Sequence, residues 1–440
     1  MSATLKVPRA IDLLNGSQTT ALPHLTSAAR FGIEAGPSKS LRPRRAPKQQ
    51  PLTPKVLLYS HDTFGLGNIR RTLLLAQELR EQYSGAAILI VTGSPMIHAF
   101  RIPDGVDYVK LPCLDRTDAE CYQPRFLGTC ADEIRQTRNA ILQNAVLGFD
   151  PDLMIVDKRA GGVDGELLPT LQALRARGAK TKIVLGLRDI LDDAARTRRT
   201  LRENHSFEII ECFYDEVWVY GSKAIFDTVK EYEFPRAVAA ITHFCGYLKR
   251  PTESASRPDG APRVLVTAGG GGDGGPMTEA YLEGLASLPR STALQTTVVF
   301  GPQMPETNRR ELLERFGYLA DVTFLDFEPE LTKRYADSEV VVSLAGYNTV
   351  CELLSFARRA ILVPRAEPVS EQLIRARLLT ARGYFEMLEP QELTPSNLIT
   401  KVLNAMKPTL MAVPSLDLDG LPGVRRRVAQ LLNPEAPEAA

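Results

Sequence analysis

From Lys55 onward, short β-branched runs alternate with longer segments whose apolar positions recur at helical spacing. The runs predict strands near 55–60, 87–92, 106–111, 152–156, 181–187 and 216–220, with helices such as 68–82, 128–147 and 163–177 between them. Strands separated by helices predict a parallel sheet covered on both faces. After "FCGYLKRPTESASRPDGAPR" the alternation starts again, and the stretch from Thr252 to Pro262, dominated by Pro, Ser, Gly and charge, reads as a linker. Further strands are predicted near 263–268, 295–300, 321–326, 339–343 and 360–364, with helices near 276–287, 306–316, 347–356 and 369–382. The pattern is that of an α/β protein with two doubly wound domains, 54–245 and 263–407, joined through 246–262. The Pro-rich piece from Pro408 to Pro422 breaks it, and "GVRRRVAQLL" predicts a last helix within 408–440 that packs back on the first domain.

Composition changes this picture at one end only. Hydrophobic residues at 44% and charged ones at 24% suit a soluble globular chain, and a net charge of +1 gives no reason to expect nucleic acid as a partner. Residues 1–50 carry eight Lys or Arg against two Asp or Glu, which leaves the rest of the chain near −5. Residues 1–53 therefore read as a disordered basic arm, with an organelle transit peptide or an arm for anionic lipid as the alternatives. No apolar run approaches the roughly 20 residues needed to span a bilayer. Six cysteines without a CxxC pair indicate neither a zinc site nor a disulfide framework, and point to reduced thiols in a cytoplasmic protein.

In open α/β sheets, ligands sit at the carboxyl ends of strands, where loops lead into helix N-termini. Six glycines between Gly269 and Gly275 follow a predicted strand, with Pro276 placed to begin a helix. Such a loop is either a flexible turn or a cradle in which free N–H groups meet a phosphate. "VVVSLAGYNTVCELLSFARRAILVPRAEPVSEQLIRARLL" places Gly346 at a turn and Glu352 in the first turns of a helix. Glu352 either accepts bonds from ribose hydroxyls or lies on a solvated helix face. Glu371 and Gln372 stand at the next strand mouth, where a carboxylate and an amide suit sugar hydroxyls. At the other end, "YSHDTFGLGNIRR" makes a turn at Gly65 and Gly67 that aims a helix N-terminus into the cleft. Arg70 and Arg71 oppose that helix's dipole, a local cost that anion binding would offset. Asp157 follows a strand and either faces the cleft or serves as a cap or an ion-pair partner of Lys158. Arg188 is placed to hold an acidic acceptor, and Asp189 to cap a helix. His61 is the histidine at a strand mouth beside the glycine turn. A DxD on a loop after a core strand would signal a metal; "DLD" at Asp417 to Asp419 lies in the Pro-rich tail, so no metal is expected.

The segment from Ser343 to Gln372 resembles the donor-binding region of GT-B glycosyltransferases, particularly family 28, in the spacing of its Ser, Gly, Thr349, Glu352, "VP" and Gln372. The order of motifs follows that family from residue 55 to about 405, and the likeness extends to "LGLRDILDD" and "YDEVWVYG". The resemblance implies two Rossmann-like domains with the active site in an interdomain cleft. It implies a nucleotide-sugar donor, a uridine diphosphate sugar, held by Gly269, Gly270, Gly271, Gly272, Gly346, Asn348, Thr349, Glu352, Glu371 and Gln372, with Glu352 on the ribose. Gly65, Gly67, Asn68, Arg70, Arg71 and Arg188 would then face donor phosphate or acceptor. The acceptor is a small molecule, a lipid-linked species or a glycan, with peripheral membrane contact in the lipid case. The nucleotide sugar is a substrate, and no cofactor is implied. Many relatives carry His at the position of Asn68, assigned there as catalytic base or phosphate contact. Asparagine cannot accept a proton at neutral pH. The base therefore falls to His61, with Asp157 as the second candidate. The competing expectations are a nucleotide-sugar hydrolase or epimerase on the same fold, and a binding protein that has lost catalysis.

Overall fold

The computed structural model describes residues 53–433 apart from 62–65, 119–120, 251–261, 290–291, 293, 357–358 and 408–415. The basic arm, most of the expected linker, Gly65 and most of the Pro-rich stretch lie outside the described residues.

Strands that are apolar along their whole length need cover on both faces. Every residue of Leu153–Asp157, Glu216–Tyr220 and Val340–Ser343 is buried. The first sheet contains β1 (Lys55–Ser60), β2 (Ala87–Thr92) and β3 (Val106–Lys110). A separate antiparallel hairpin follows, β4 (Leu114–Asp118) with β5 (Cys121–Pro124). The chain then returns to the sheet with β6 (Leu153–Asp157), β7 (Lys182–Arg188), β8 (Glu216–Tyr220) and β9 (Thr242–Phe244). The strand order is β3-β2-β1-β6-β7-β8-β9, parallel throughout. The second sheet contains β10 (Arg263–Thr267), β11 (Gln295–Val299), β12 (Val322–Leu325), β13 (Val340–Ser343), β14 (Arg359–Leu362) and β15 (Glu386–Met387). Its order, β12-β11-β10-β13-β14-β15, repeats the plan. In each sheet the chain starts in the middle, runs to one edge, then crosses back to build the other half. The reversal falls between β1 and β6 in the first sheet and between β10 and β13 in the second. Loops leave such a point toward opposite faces and open a crevice between them.

Where hydrophobic period was strong, strands and helices lie within a few residues of expectation. The elements not foreseen include the polar β4–β5 hairpin, the edge strands β9 and β15, the helix Leu331–Ala336, and the helices between β7 and β9 such as Ala194–Glu203 and Ser206–Phe213. The amphipathic helix Pro395–Met406 was not foreseen either. The last helix, Gly420–Leu432, lies against the helix Gly67–Gln82 of the first domain, where Gln82 Nε2 donates to the Arg425 carbonyl at 3.0 Å. Arg425 pairs with Glu78, and Arg427 with Glu216. Just before that helix, Asp419 bridges Leu248 in antiparallel fashion.

Side chains tie the two domains together. Arg375 of the helix Glu371–Thr380 is fully buried and donates to Asp189, just beyond β7, at 2.7 Å, while the Tyr247 hydroxyl donates to Asp189 Oδ2 at 3.1 Å. Asp189 is therefore an interdomain anchor and not the expected helix cap. That role belongs to Asp193, whose carboxylate accepts from the Ala195 and Arg196 amides at the start of the helix Ala194–Glu203. Among the described residues no helix is long and apolar enough to cross a membrane.

Candidate active site

Both reversal points open onto one cleft of about 560 Å³. The first domain contributes His61 after β1, Gly67, Asn68, Arg70 and Arg71 of the following helix, Lys158, Arg159 and Arg188 from the ends of β6 and β7, and Arg196 of the helix Ala194–Glu203. The second domain contributes Gly269 to Asp273 after β10, Leu344 to Thr349 after β13 (Ala345 excepted), and Arg365, Glu371 and Gln372 near the end of β14. Seven basic side chains line the cleft against two acidic ones, Asp273 and Glu371, and carboxylates outside the lining pair with three of the seven: Glu352 with Arg70, Asp157 with Arg71 and Asp192 with Arg196.

The glycine loop is shaped by packing as much as by access. Gly271 has φ +99°, and a Cβ there would lie 2.6 Å from the Phe300 carbonyl oxygen. A Cβ on Gly274 would lie 2.0 Å from that of Ala268. These residues let the chain fold tightly into the helix Gly275–Ala286, which starts without a side-chain cap or an acid in its first turn. The helix Gly67–Gln82 likewise starts uncapped and without acids. Two helix N-termini thus keep amide donors and positive dipole ends at or beside the cleft.

Asn68 joins His61 to a buried ion pair. Arg71, 1% exposed, donates to Asp157 Oδ1 from Nε at 3.0 Å and from Nη2 at 2.5 Å. Its Nη2 also donates to Asn68 Oδ1 at 3.1 Å. Because arginine only donates, the amide oxygen of Asn68 must face it, which turns the amide NH₂ toward His61 Nε2 at 3.4 Å. Nε2 is then an acceptor, and the imidazole proton sits on Nδ1. Burial, followed by the charges of Arg159 and Lys158, holds the His61 pKa well below its usual value, so the ring is neutral at physiological pH.

Two expected site carboxylates lie elsewhere. Asp157 is beneath Arg71 and does not line the cleft, so it is an ion-pair partner of Arg71, not of Lys158. Glu352 is fully buried, paired with Arg70 and with Arg250 Nε at 2.8 Å, and does not line the cleft either. The residues of its helix that line the cleft are about one turn earlier: Tyr347, Asn348, whose Nδ2 donates to the Gly67 carbonyl at 2.7 Å, and Thr349. Glu371 and Gln372 do line it. Glu371 meets Arg188 at 2.6 Å and Arg365 at 3.7 Å. Burial pushes the Glu371 carboxyl up, but Arg188 and the cations around it outweigh this and hold it below the ordinary carboxylate value.

The matches to known proteins follow this division. Residues 264–414 match the glycosyltransferase family 28 C-terminal domain. The second domain is of glycosyltransferase family 28. A similar curated protein is the UDP-N-acetylglucosamine--N-acetylmuramyl-(pentapeptide) pyrophosphoryl-undecaprenol N-acetylglucosamine transferase of Methylobacterium nodulans, 29% identical over 41% of this chain and 49% of that one. The chain thus spans about half the length of the curated relatives it matches. Among solved structures, the glycotransferase of kitacinnamycin superposes with a TM-score of 0.55 at 15% identity, covering 88% of this chain and 100% of that one. A putative UDP-N-acetylglucosamine 2-epimerase from Listeria monocytogenes superposes with a TM-score of 0.58 at 11% identity, covering 88% and 99%. At these identities the superpositions establish the fold, which is GT-B.

Several residues of this cleft were not singled out from sequence as site residues. Lys158, Arg159 and Arg365 follow strand ends, so the rule that found Arg188 reaches them too. Asp273 and Gln303 sit in loops after β10 and β11. Tyr122 arrives on the unforeseen hairpin, and no local signal marks it. A second DxD, Asp150 to Asp152, lies at the amino end of β6, away from the cleft, where Asp152 Oδ2 accepts from the Lys55 amide at 2.8 Å.

Proposed function

We propose that this protein is a cytoplasmic glycosyltransferase that moves a sugar from a nucleotide-sugar donor to an acceptor hydroxyl, with inversion and without a metal. The observation that carries the reading is the convergence of a glycine loop and two acid-free helix N-termini on one cleft with a basic excess. The donor diphosphate would lie on Gly269 to Gly272, where backbone N–H groups, the dipole of the helix Gly275–Ala286 and Arg365 stabilise the charge that grows on the leaving group. Thr349, Glu371 and Gln372 would meet the sugar-nucleotide from the same wall. The acceptor hydroxyl would approach from the first-domain wall and attack the anomeric carbon opposite the diphosphate. Its proton would pass to His61 Nε2, which the Asn68 amide faces at 3.4 Å. The curated relatives are named for transfer from UDP-N-acetylglucosamine, so uridine diphosphate sugars are the first donors to test.

Incubation with a panel of nucleotide sugars and native cell extract, followed by mass spectrometry, should give a product heavier than an acceptor by one glycosyl unit, in EDTA as without it. Free sugar released without acceptor would instead make the protein a hydrolase. Nucleotide-sugar binding without turnover would make it a binding protein. Failure of any nucleotide to bind in calorimetry would sink the donor site itself.

A further inference from the structure

From the end of β7 into the helix Ala194–Glu203, four side chains of the first domain reach across to residues 368–375 of the second. Arg188 Nη2 meets Glu371 Oε2 at 2.6 Å, and Asp189 Oδ1 takes Arg375 Nη2 at 2.7 Å. Farther along, Asp192 Oδ1 accepts from the Ser370 amide at 2.8 Å, and the Arg196 guanidinium donates to the Pro368 carbonyl. The first two contacts belong to the cleft and to the interdomain anchor. The contact at Ser370 lies outside both.

We propose that Asp192 is a positioning residue for donor-sugar recognition: from the first domain it fixes, through the Ser370 amide, the helix start from which Glu371 and Gln372 face the sugar. This rests on the transferase reading above. Ser370 immediately precedes the helix Glu371–Thr380, and its own side chain makes no capping bond there. Glu371 and Gln372 are the first two residues of that helix, and both line the cleft. Asp192 does not line it, so it acts on a ligand only through what it holds. It is itself held on the first domain, where its carbonyl accepts from the buried Tyr232 hydroxyl at 3.1 Å and its Oδ2 pairs with Arg196 Nε at 3.4 Å. Tyr232 and Arg196 thus fix one end of a brace, and the charge-assisted bond to the Ser370 amide fixes the other.

A carboxylate and an amide read sugar hydroxyls by direction, and binding groups must be held to within about 0.5 Å of their working positions to do so. The Glu371 carboxylate lies between Arg188 and Arg365, so its own place and that of its helix both depend on residues 188–196. The nucleoside diphosphate, by contrast, would be met by the glycine loop after β10 and by Thr349, on other segments. Removing the brace therefore loosens the grip on the sugar and spares that on the nucleotide. Sugar selectivity is then a property of the two domains together, although the residues proposed to touch the sugar are in the second.

The test compares the full chain with Asp192→Ala and Asp192→Asn, titrated in a calorimeter with UDP, UDP-N-acetylglucosamine, UDP-glucose and UDP-galactose. For the UDP-sugar that the wild type binds best, Asp192→Ala should weaken affinity about fivefold to tenfold and narrow its lead over the other sugars, while UDP moves by less than about twofold. Asp192→Asn keeps an oxygen for the Ser370 amide and should stay within about twofold of the wild type for both ligands. An equal loss for UDP and UDP-sugar, no loss in Asp192→Ala, or a loss in Asp192→Asn as large as in Asp192→Ala would each overturn the assignment. Should Asp192→Ala misfold, Ser370→Pro takes its place: it removes the amide donor at a φ of −84°, near the proline range, and must show the same selective loss. If no nucleotide binds, the donor reading fails, and the bond is then judged in the free chain by hydrogen exchange. There Asp192→Ala must expose the Ser370 amide, and unchanged protection overturns the positioning role as well.

Discussion

The two walls of the cleft have the same topology and opposite means of recognition. Each stands at the reversal point of a sheet with the same strand order. The second wall offers mainly backbone amides from a glycine loop, with one arginine held between Asp273 and Glu371. The first offers six cationic side chains and a neutral histidine. Backbone donors in a fixed loop suit a ligand part that stays the same from turnover to turnover. Side chains on strand ends can be exchanged without disturbing the fold, which suits the part that varies. The comparison teaches that the doubly wound plan sets where a ligand sits, and that the composition of the loops sets what it is.

Four measurements would break or sharpen this contrast. The largest effect belongs to the first wall: His61→Ala should lower turnover about 10²–10⁴-fold while leaving donor affinity nearly unchanged. Asp157→Asn should act on stability instead, since it strips the buried Arg71 of its carboxylate. Normal turnover in His61→Ala with loss in Asp157→Asn would reverse the two roles.

The second concerns the contact that joins the walls. Glu352→Ala leaves Arg70 and Arg250 without their shared carboxylate, and urea unfolding should register a loss of about 3–5 kcal/mol, as for other broken buried pairs. Unchanged stability with a large loss of UDP affinity would mean that Glu352 leaves this network to hold the ribose, as its sequence position implied.

The third tests the second wall. Gly271→Ala forces a side chain into a positive-φ position against the Phe300 carbonyl, so stability should fall by about 1–3 kcal/mol and UDP affinity with it. Wild-type behaviour would show that the loop relaxes freely and is not a shaped cradle.

The smallest effect is the pH dependence. The folded pKa of His61 is depressed, first by burial, and that of His243 is depressed by burial and then by Arg427. The unfolded chain therefore binds more protons than the folded one just below the usual histidine value. The contribution of these residues is complete above roughly pH 6.5 and is lost as pH falls below it. Melting temperatures should decline from pH 7.5 to 5.5, and His61→Gln should flatten that decline. An equal slope in the variant would put the effect on other groups.

Much of the architecture was legible because its signals are local. β-branched runs, helical spacing and glycine before a helix located nearly all the buried strands and the glycine loop after β10. The rule that ligands gather at strand ends brought His61, Asn68, Gly269 to Gly272, Gly346, Asn348, Thr349, Arg188, Glu371 and Gln372 onto one cleft. The β4–β5 hairpin stayed hidden because its residues are polar and its pairing is not driven by apolar alternation.

What only the tertiary structure decided is the pairing of charges. A sequence shows that Glu352, Asp157 and Asp189 are acids near strand ends. Whether such an acid meets a ligand or a guanidinium depends on side chains from distant parts of the chain: Arg70 and Arg250 for Glu352, Arg71 for Asp157, Arg375 for Asp189. Taking a charge out of water is costly unless a partner of opposite sign is within reach. The availability of that partner is a property of the folded chain, because period and propensity carry no information about which residues meet across a cleft. The sequence alone thus determined where the cleft would form, and the fold determined which of its charges remain to bind a ligand.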